Sequence, residues 1–215
     1  MKHKKPILDR RKVVAEILKD RGDALVIPGL GAPTWDTAAA GDHALNFYTW
    51  GGMGGAAMIG LGLALAQPRR RVLVITGDGE LLMGLGSLAT IAVQQPRNLA
   101  IVVLDNERYG ETGMQETHTR FGVDLAGMAK AAGFRAAGTV FGAAQLKSWV
   151  PRLHKQAGPV FAAIKVTTQP APMVLPLREG TAIKHRFREA LLGAAEAYKK
   201  QHQHPLSPNA GRGLG

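Results

Sequence analysis

The sequence predicts a doubly wound α/β domain, a mostly parallel sheet with helices on both faces. Three observations carry that prediction. Strand-length apolar runs alternate with helix-length segments along the chain, as strand–helix–strand units do. Residues 72–76 and 99–104 are apolar almost throughout, the pattern of parallel strands covered on both faces. Each of these runs passes directly into small or polar residues, Gly77-Asp78-Gly79 and Asp105-Asn106. Ligands in such sheets bind just beyond the carboxyl ends of strands.

The elements follow in order. Residues 9–21 place Val13, Val14, Ile17 and Leu18 at helical spacing. Residues 24–27 read as a short strand stopped by Pro28-Gly29, and 29–42, with Pro33 and its glycines, as loop. Residues 45–48 read as a second short strand. Residues 54–66 are small and apolar on every side, which predicts a buried helix. Pro68 and the three arginines after it make a turn. Then come a strand (72–76), a helix (80–95) and a strand (99–104). Residues 123–132 form a helix closed by Gly133, 134–140 a weak strand, 143–155 a helix and 160–166 a strand after Gly158-Pro159. A last helix spans 183–199, and residues 201–215, polar and rich in Pro and Gly, read as a disordered tail. No internal repeat is visible.

Composition bounds the function. A chain of 215 residues with 46% hydrophobic content can bury a full core and leaves little room for a second complete domain. There is no cysteine, which excludes disulfides, thiolate zinc sites and cysteine-ligated iron–sulfur clusters. The N-terminus is charged with no apolar stretch behind it, and the longest apolar stretch, 53–66, is too short to span a bilayer. The expectation is a soluble, cytoplasmic protein. The net charge of +11 is spread along the chain, and only 6% of residues are aromatic. That balance suits anionic small molecules or an acidic partner better than nucleic acid or a membrane surface.

The chemistry centres on two positions. Asp78 and Asn106 stand 28 residues apart (106 − 78), about the length of one strand–helix–strand crossover. They therefore leave the same sheet edge on neighbouring strands. A carboxylate and an amide carbonyl there suit a hard divalent cation that also binds phosphate oxygens. Gly77 and Gly79 allow a tight turn off the strand, and free amides at the start of the following helix favour an anion. The plainer alternative is two turn glycines and a helix cap. Other phosphate motifs fail. A dinucleotide fingerprint requires glycine where Leu82 stands, and no Gly-Lys pair exists for a P-loop.

Gly77-Asp78-Gly79 followed by Asp105-Asn106 resembles the signature of thiamine diphosphate enzymes. Trp50-Gly51-Gly52-Met53-Gly54 is similar to the corresponding stretch of pyruvate decarboxylases and acetolactate synthases. The segment from Gly110 to Thr119 resembles the loop after the metal site in sulfopyruvate and phosphonopyruvate decarboxylases. The resemblance runs over about residues 10–170 and is strongest over 45–120. It implies that residues 1–200 are one diphosphate-binding domain of the C-terminal type. It implies Mg2+ ligated by Asp78, Asn106 and the main-chain oxygen of Arg108. It implies Met53 as the wedge under a bent thiamine diphosphate, with the Gly51 carbonyl on the pyrimidine. Gly52, Gly77, Gly79, Glu80, Tyr109 and Gly110 complete the expected cofactor contacts. His118 is the candidate to hydrogen-bond or protonate a bound intermediate. Glu80 departs from the family's usual Ser or Ala. A carboxylate beside a phosphate is repulsive, so its side chain is expected to turn away while its amide still donates.

In this family the cofactor also needs a pyrimidine domain, whose glutamate activates the ring. The chain resembles the diphosphate half alone. The resemblance thus implies a lyase subunit, a 2-oxo acid decarboxylase acting in a hetero-oligomer such as α2β2 with a pyrimidine-domain subunit. The glycine-rich 54–66 helix would allow that partner a close approach. Two alternatives stay open: an acetolactate synthase-like carboligase subunit, and a non-catalytic thiamine diphosphate-binding partner protein. A ferredoxin-linked oxidoreductase subunit lacks its usual cluster ligands here.

Overall fold

The computed structural model describes residues 7–198. The expected disordered tail at 201–215 and the end of the last predicted helix lie outside the described residues. Five parallel strands make one sheet: β1 (Leu25–Pro28), β2 (Val72–Gly77), β3 (Leu99–Asp105), β6 (Ala136–Val140) and β7 (Val160–Lys165), in the spatial order β1-β2-β3-β7-β6. A two-stranded antiparallel ribbon, β4 (Arg108–Tyr109) with β5 (Gln115–Glu116), stands apart from it.

Side chains alternate across a strand, and the two faces carry two separate cores. Leu25, Ile27, Val74, Ile101, Val103 and Phe161 point to one face. They are covered there by α3 (Ala56–Ala66), α5 (Ser87–Gln94) and α6 (Leu125–Ala132). Val26, Leu73, Ile75, Val102, Ala162 and Ile164 point to the other, under α1 (Arg10–Leu18) and α7 (Ala143–Lys155). The three central strands are buried along nearly their whole length. This is why their sequences are continuously apolar rather than alternating.

Helix ends follow local chemistry. The Asp9 side chain accepts from the Lys12 amide at the start of α1, and Asp124 accepts from the Gly127 amide at α6. Gly133 closes α6 in the left-handed region at φ 111°.

Several expectations are corrected. Residues 29–42 are not loop. They contain α2 (Ala32–Ala39), which begins with Pro33 in its first turn, where a missing N–H costs nothing. Residues 45–48 form only an isolated bridge from Asn46 to Val26. The segment 80–95 is two helices, α4 (Asp78–Met83) and α5, broken where Gly84 ends the first. The helix expected at 183–199 is α8 (Gly180–Leu192) followed by the single turn α9 (Ala194–Ala197). Helix α3 is not buried all round: Met58 and Leu65 are 42% and 51% exposed. Among the described residues, no helix is long and apolar enough to cross a membrane.

Candidate functional site

β2 and β3 are neighbours in register, Gly77 opposite Leu104. The chain leaves β2 into α4 at Asp78 and leaves β3 at Asn106, so both residues stand at adjacent strand tips. A cleft of about 620 Å3, counted out to its open mouth, lies over those tips. Gly77, Asp78, Gly79, Glu80 and Asn106 form its floor, and Arg108, Tyr109 and Gly110 line it from the β4 side. Met53, Leu30 and Pro33 line it as well. Gly51 and Gly52 precede Met53 but do not line the cleft. Nor does His118, which is exposed on a 3₁₀ turn (His118–Phe121). The structure does not bring His118 to the other candidates. His43 also lies elsewhere, its Nδ1 accepting from the Leu45 amide.

Two close approaches shape the cleft. A Cβ on Gly79 would sit 2.6 Å from the Tyr109 ring, so only glycine lets that ring lie against the start of α4. A Cβ on Gly84 would sit 2.2 Å from the Gly54 carbonyl oxygen. The entry to α3 and the exit of α4 therefore cross backbone to backbone, which fixes the turn carrying Met53. Met53 is 37% exposed at the cleft.

Asp78 is 1% exposed. Its Oδ2 accepts from Thr117 Oγ1 at 2.5 Å and lies 3.2 Å from Thr119 Oγ1. Thr119 also donates to Asp105 Oδ1 at 2.8 Å, and Lys165 Nζ bridges Asp105 and Glu107 at 2.8 and 2.9 Å. Burial, and then the Asp105 charge, push the Asp78 pKa up to about 7. Asp105 has a cation beside it, whereas no described residue forms an ion pair with Asp78. A buried carboxylate without a counter-charge is costly, and a cation in the cleft would relieve it. Asn106 Oδ1 accepts from the Arg108 amide at 2.9 Å, which fixes the side chain and leaves a second lone pair. This oxygen-only set suits Mg2+. No group of three or more His, Asp or Glu among the described residues could hold a metal. An ion here would therefore need oxygens from a ligand, as a diphosphate supplies.

Glu80 is 4% exposed and bound to protein rather than free in the cleft. Its Oε2 accepts from Thr76 Oγ1 at 2.8 Å and from the Leu30 amide at 3.1 Å. Burial pushes its pKa up, against the hydrogen bonds that favour the anion. A Cβ on Gly29 would lie 1.8 Å from the same oxygen. Glu80 thus clasps the loop after β1 to the tip of β2. The sequence showed the carboxylate but not this clasp, whose partners lie 50 and 4 residues away. Thr117, Thr119 and Lys165 escaped notice too. No periodicity marks the two threonines, because residues 118–121 form a 3₁₀ turn rather than a strand.

A parallel sheet with an oxygen-donor pair at adjacent strand tips, over a glycine-floored cleft, defines the class of α/β cofactor-binding domains. The family model "Thiamine pyrophosphate enzyme, C-terminal TPP binding domain" matches residues 31–164, more than half of the chain, and the protein belongs to this family. The chain is 39% identical over 190 residues to the sulfopyruvate decarboxylase subunit beta of Methanothermobacter thermautotrophicus, covering 88% of this chain and 99% of that one. It is 42% identical over 125 residues to the phosphonopyruvate decarboxylase of Streptomyces viridochromogenes, covering 58% of this chain and 30% of that one. A solved structure, the thiamine diphosphate-dependent 4-hydroxybenzoylformate decarboxylase of Rhodococcus jostii, superposes with a TM-score of 0.64 at 18% identity, over 79% of this chain and 34% of that one. At that identity the likeness is one of fold, and this chain spans about a third of that protein.

Proposed function

We propose that the chain is the diphosphate-binding subunit of a thiamine diphosphate- and Mg2+-dependent decarboxylase. Its substrate is a 2-oxo acid with a second acidic group, of the sulfopyruvate or phosphonopyruvate kind. The observation that carries this reading is the meeting of Asp78, Asn106 and Met53 at one cleft, in a chain that aligns with nearly the whole of a named β subunit. Bound thiamine diphosphate supplies the electron sink that lets a 2-oxo acid lose carbon dioxide. The chain's own residues bind and orient. Asp78, Asn106 and the Arg108 main-chain oxygen would hold Mg2+ against the two phosphates. Gly77 and Gly110 leave room for the diphosphate to approach the backbone, and Gly79 lets the Tyr109 ring close the side of the cleft. Met53, a soft apolar side chain, would support the cofactor where it bends and keep water from its face.

The relative that the chain spans almost whole is named a subunit beta, which supports a second chain that carries the rest of the active enzyme. We assign that chain the pyrimidine domain. The test is reconstitution with such a subunit, thiamine diphosphate and Mg2+, followed by carbon dioxide release from sulfopyruvate, phosphonopyruvate and pyruvate. Release from an acidic 2-oxo acid is expected only when both chains are present. Full activity of this chain alone would defeat the two-subunit reading, and a five-carbon acid formed from two pyruvates with loss of one carbon dioxide would defeat the decarboxylase reading.

A further inference from the structure

Both side-chain hydroxyls that meet Asp78 do so at one oxygen. Thr117 donates to Oδ2 and Thr119 lies against the same atom, while Oδ1 accepts no side-chain hydrogen bond among the described residues. Both threonines are buried, at 0% and 2% exposure, and neither lines the cleft. Each hydroxyl has a single proton. Thr119 meets Asp105 Oδ1 at 2.8 Å, Thr117 Oγ1 at 3.0 Å and Asp78 Oδ2 at 3.2 Å. Its proton is thus drawn first to Asp105, and Thr117 serves Asp78. The other Asp105 oxygen is paired with Lys165. The threonine pair therefore sorts two neighbouring carboxylates: one is turned to a fixed ammonium ion, the other is left to the cleft. The pair is itself anchored, because the Thr117 amide donates to the Glu107 carbonyl at 3.1 Å, in the turn that also carries Asn106. His118 points outward between them.

We infer that Thr117 and Thr119 are positioning residues for the cation: the Thr117 hydroxyl fixes Asp78 through Oδ2, the Thr119 hydroxyl seats Thr117 and holds Asp105 turned to Lys165, and Asp78 Oδ1 is thereby reserved for the metal. This rests on the reading of the cleft as a magnesium–diphosphate site. Neither residue touches the cofactor. They act through Asp78, and their loss changes the geometry and charge of a ligand rather than removing one. Loss of such an outer partner lowers metal affinity by about 10- to 100-fold.

The test uses the full chain with Mn2+ as the probe cation and thiamine diphosphate present, free Mn2+ being read by electron paramagnetic resonance. Thr117→Val and Thr119→Val each delete a hydroxyl at nearly constant volume, and Thr119→Ser restores it. The expected result is Mn2+ binding weakened roughly tenfold or more by each valine and recovered by serine. The melting temperature of the metal-free chain should not track this series, because serine removes a buried methyl yet restores the affinity. If a valine chain does not fold, Thr119→Ala against Thr119→Ser makes the same comparison. A parent chain that binds Mn2+ with valine variants that bind it equally well overturns this inference and leaves the proposed function standing. A parent that binds no Mn2+ under these conditions overturns both.

Discussion

At the scale of single residues, Glu80 shows how a carboxylate can sit beside a phosphate site without opposing it. Its charge is turned into the protein, where the Thr76 hydroxyl and the Leu30 amide receive it. Removing that acceptor strands the buried Thr76 hydroxyl and the half-buried Leu30 amide. A donor left without a partner costs roughly 1–3 kcal/mol. Glu80→Ala should therefore lower stability to urea by about 2–4 kcal/mol, since the emptied space adds its own penalty. Glu80→Gln keeps an acceptor oxygen and should lose less than half of that. Urea titrations followed by circular dichroism decide the matter. An alanine variant as stable as the parent would mean that the clasp contributes nothing.

At the scale of elements, α8 is tied to the body by a similar polar contact. Arg186 donates to Asp42 Oδ2 at 2.6 Å and Oδ1 at 3.3 Å, and Tyr48 donates to Oδ1 at 2.8 Å. Burial works to raise the Asp42 pKa, but the Arg186 and Tyr48 hydrogen bonds outweigh it and hold the carboxyl below its usual range. A carboxyl depressed in the folded state binds its proton more tightly when unfolded. Its contribution to stability is therefore present above the ordinary value, about pH 4, and fades as pH falls through the lower folded value. Urea midpoints of the parent and Asp42→Asn should differ at pH 7 and converge below about pH 4. A constant difference across that range would show that ionisation of Asp42 is not what holds α8. Elements also show what the sequence can reveal. The runs at 72–76 and 99–104 were readable because burial on both faces leaves an unbroken apolar record. Helix α2 was hidden because Pro33 and flanking glycines look like a loop unless the proline is placed in a first turn. The break between α4 and α5 had its signal in Gly84, whose backbone meets Gly54. The ribbon of β4 and β5, two residues a strand, has no period to detect. Asp78 and Asn106 were legible because their spacing follows from chain connectivity. The threonine pair was not, because its meaning comes from a fold-back of 39 and 41 residues.

At the scale of the molecule, the charge of the cleft links folding to ligand. Asp78 is buried with no ion-pair partner among the described residues, next to an Asp105 that shares Lys165 with Glu107. The free chain therefore carries an electrostatic cost that a bound cation and diphosphate remove together. Binding to the folded chain alone stabilises it by mass action, by about 2.7 kcal/mol when the ligand is at 100 times its Kd. For a chain of this size 1 kcal/mol moves the melting temperature by about 2–4 °C. Saturating Mg2+ and thiamine diphosphate should thus raise Tm by roughly 5–11 °C. The rise should grow with ligand concentration and vanish with a chelator, and thiamine diphosphate without metal should give little of it. Asp78→Ala removes both the cost and the ligand. Whatever its metal-free melting temperature, it should show no shift when Mg2+ and cofactor are added. A parent chain whose Tm ignores both additions, or an alanine variant that shifts as the parent does, would show that the ion is held somewhere other than at these strand tips.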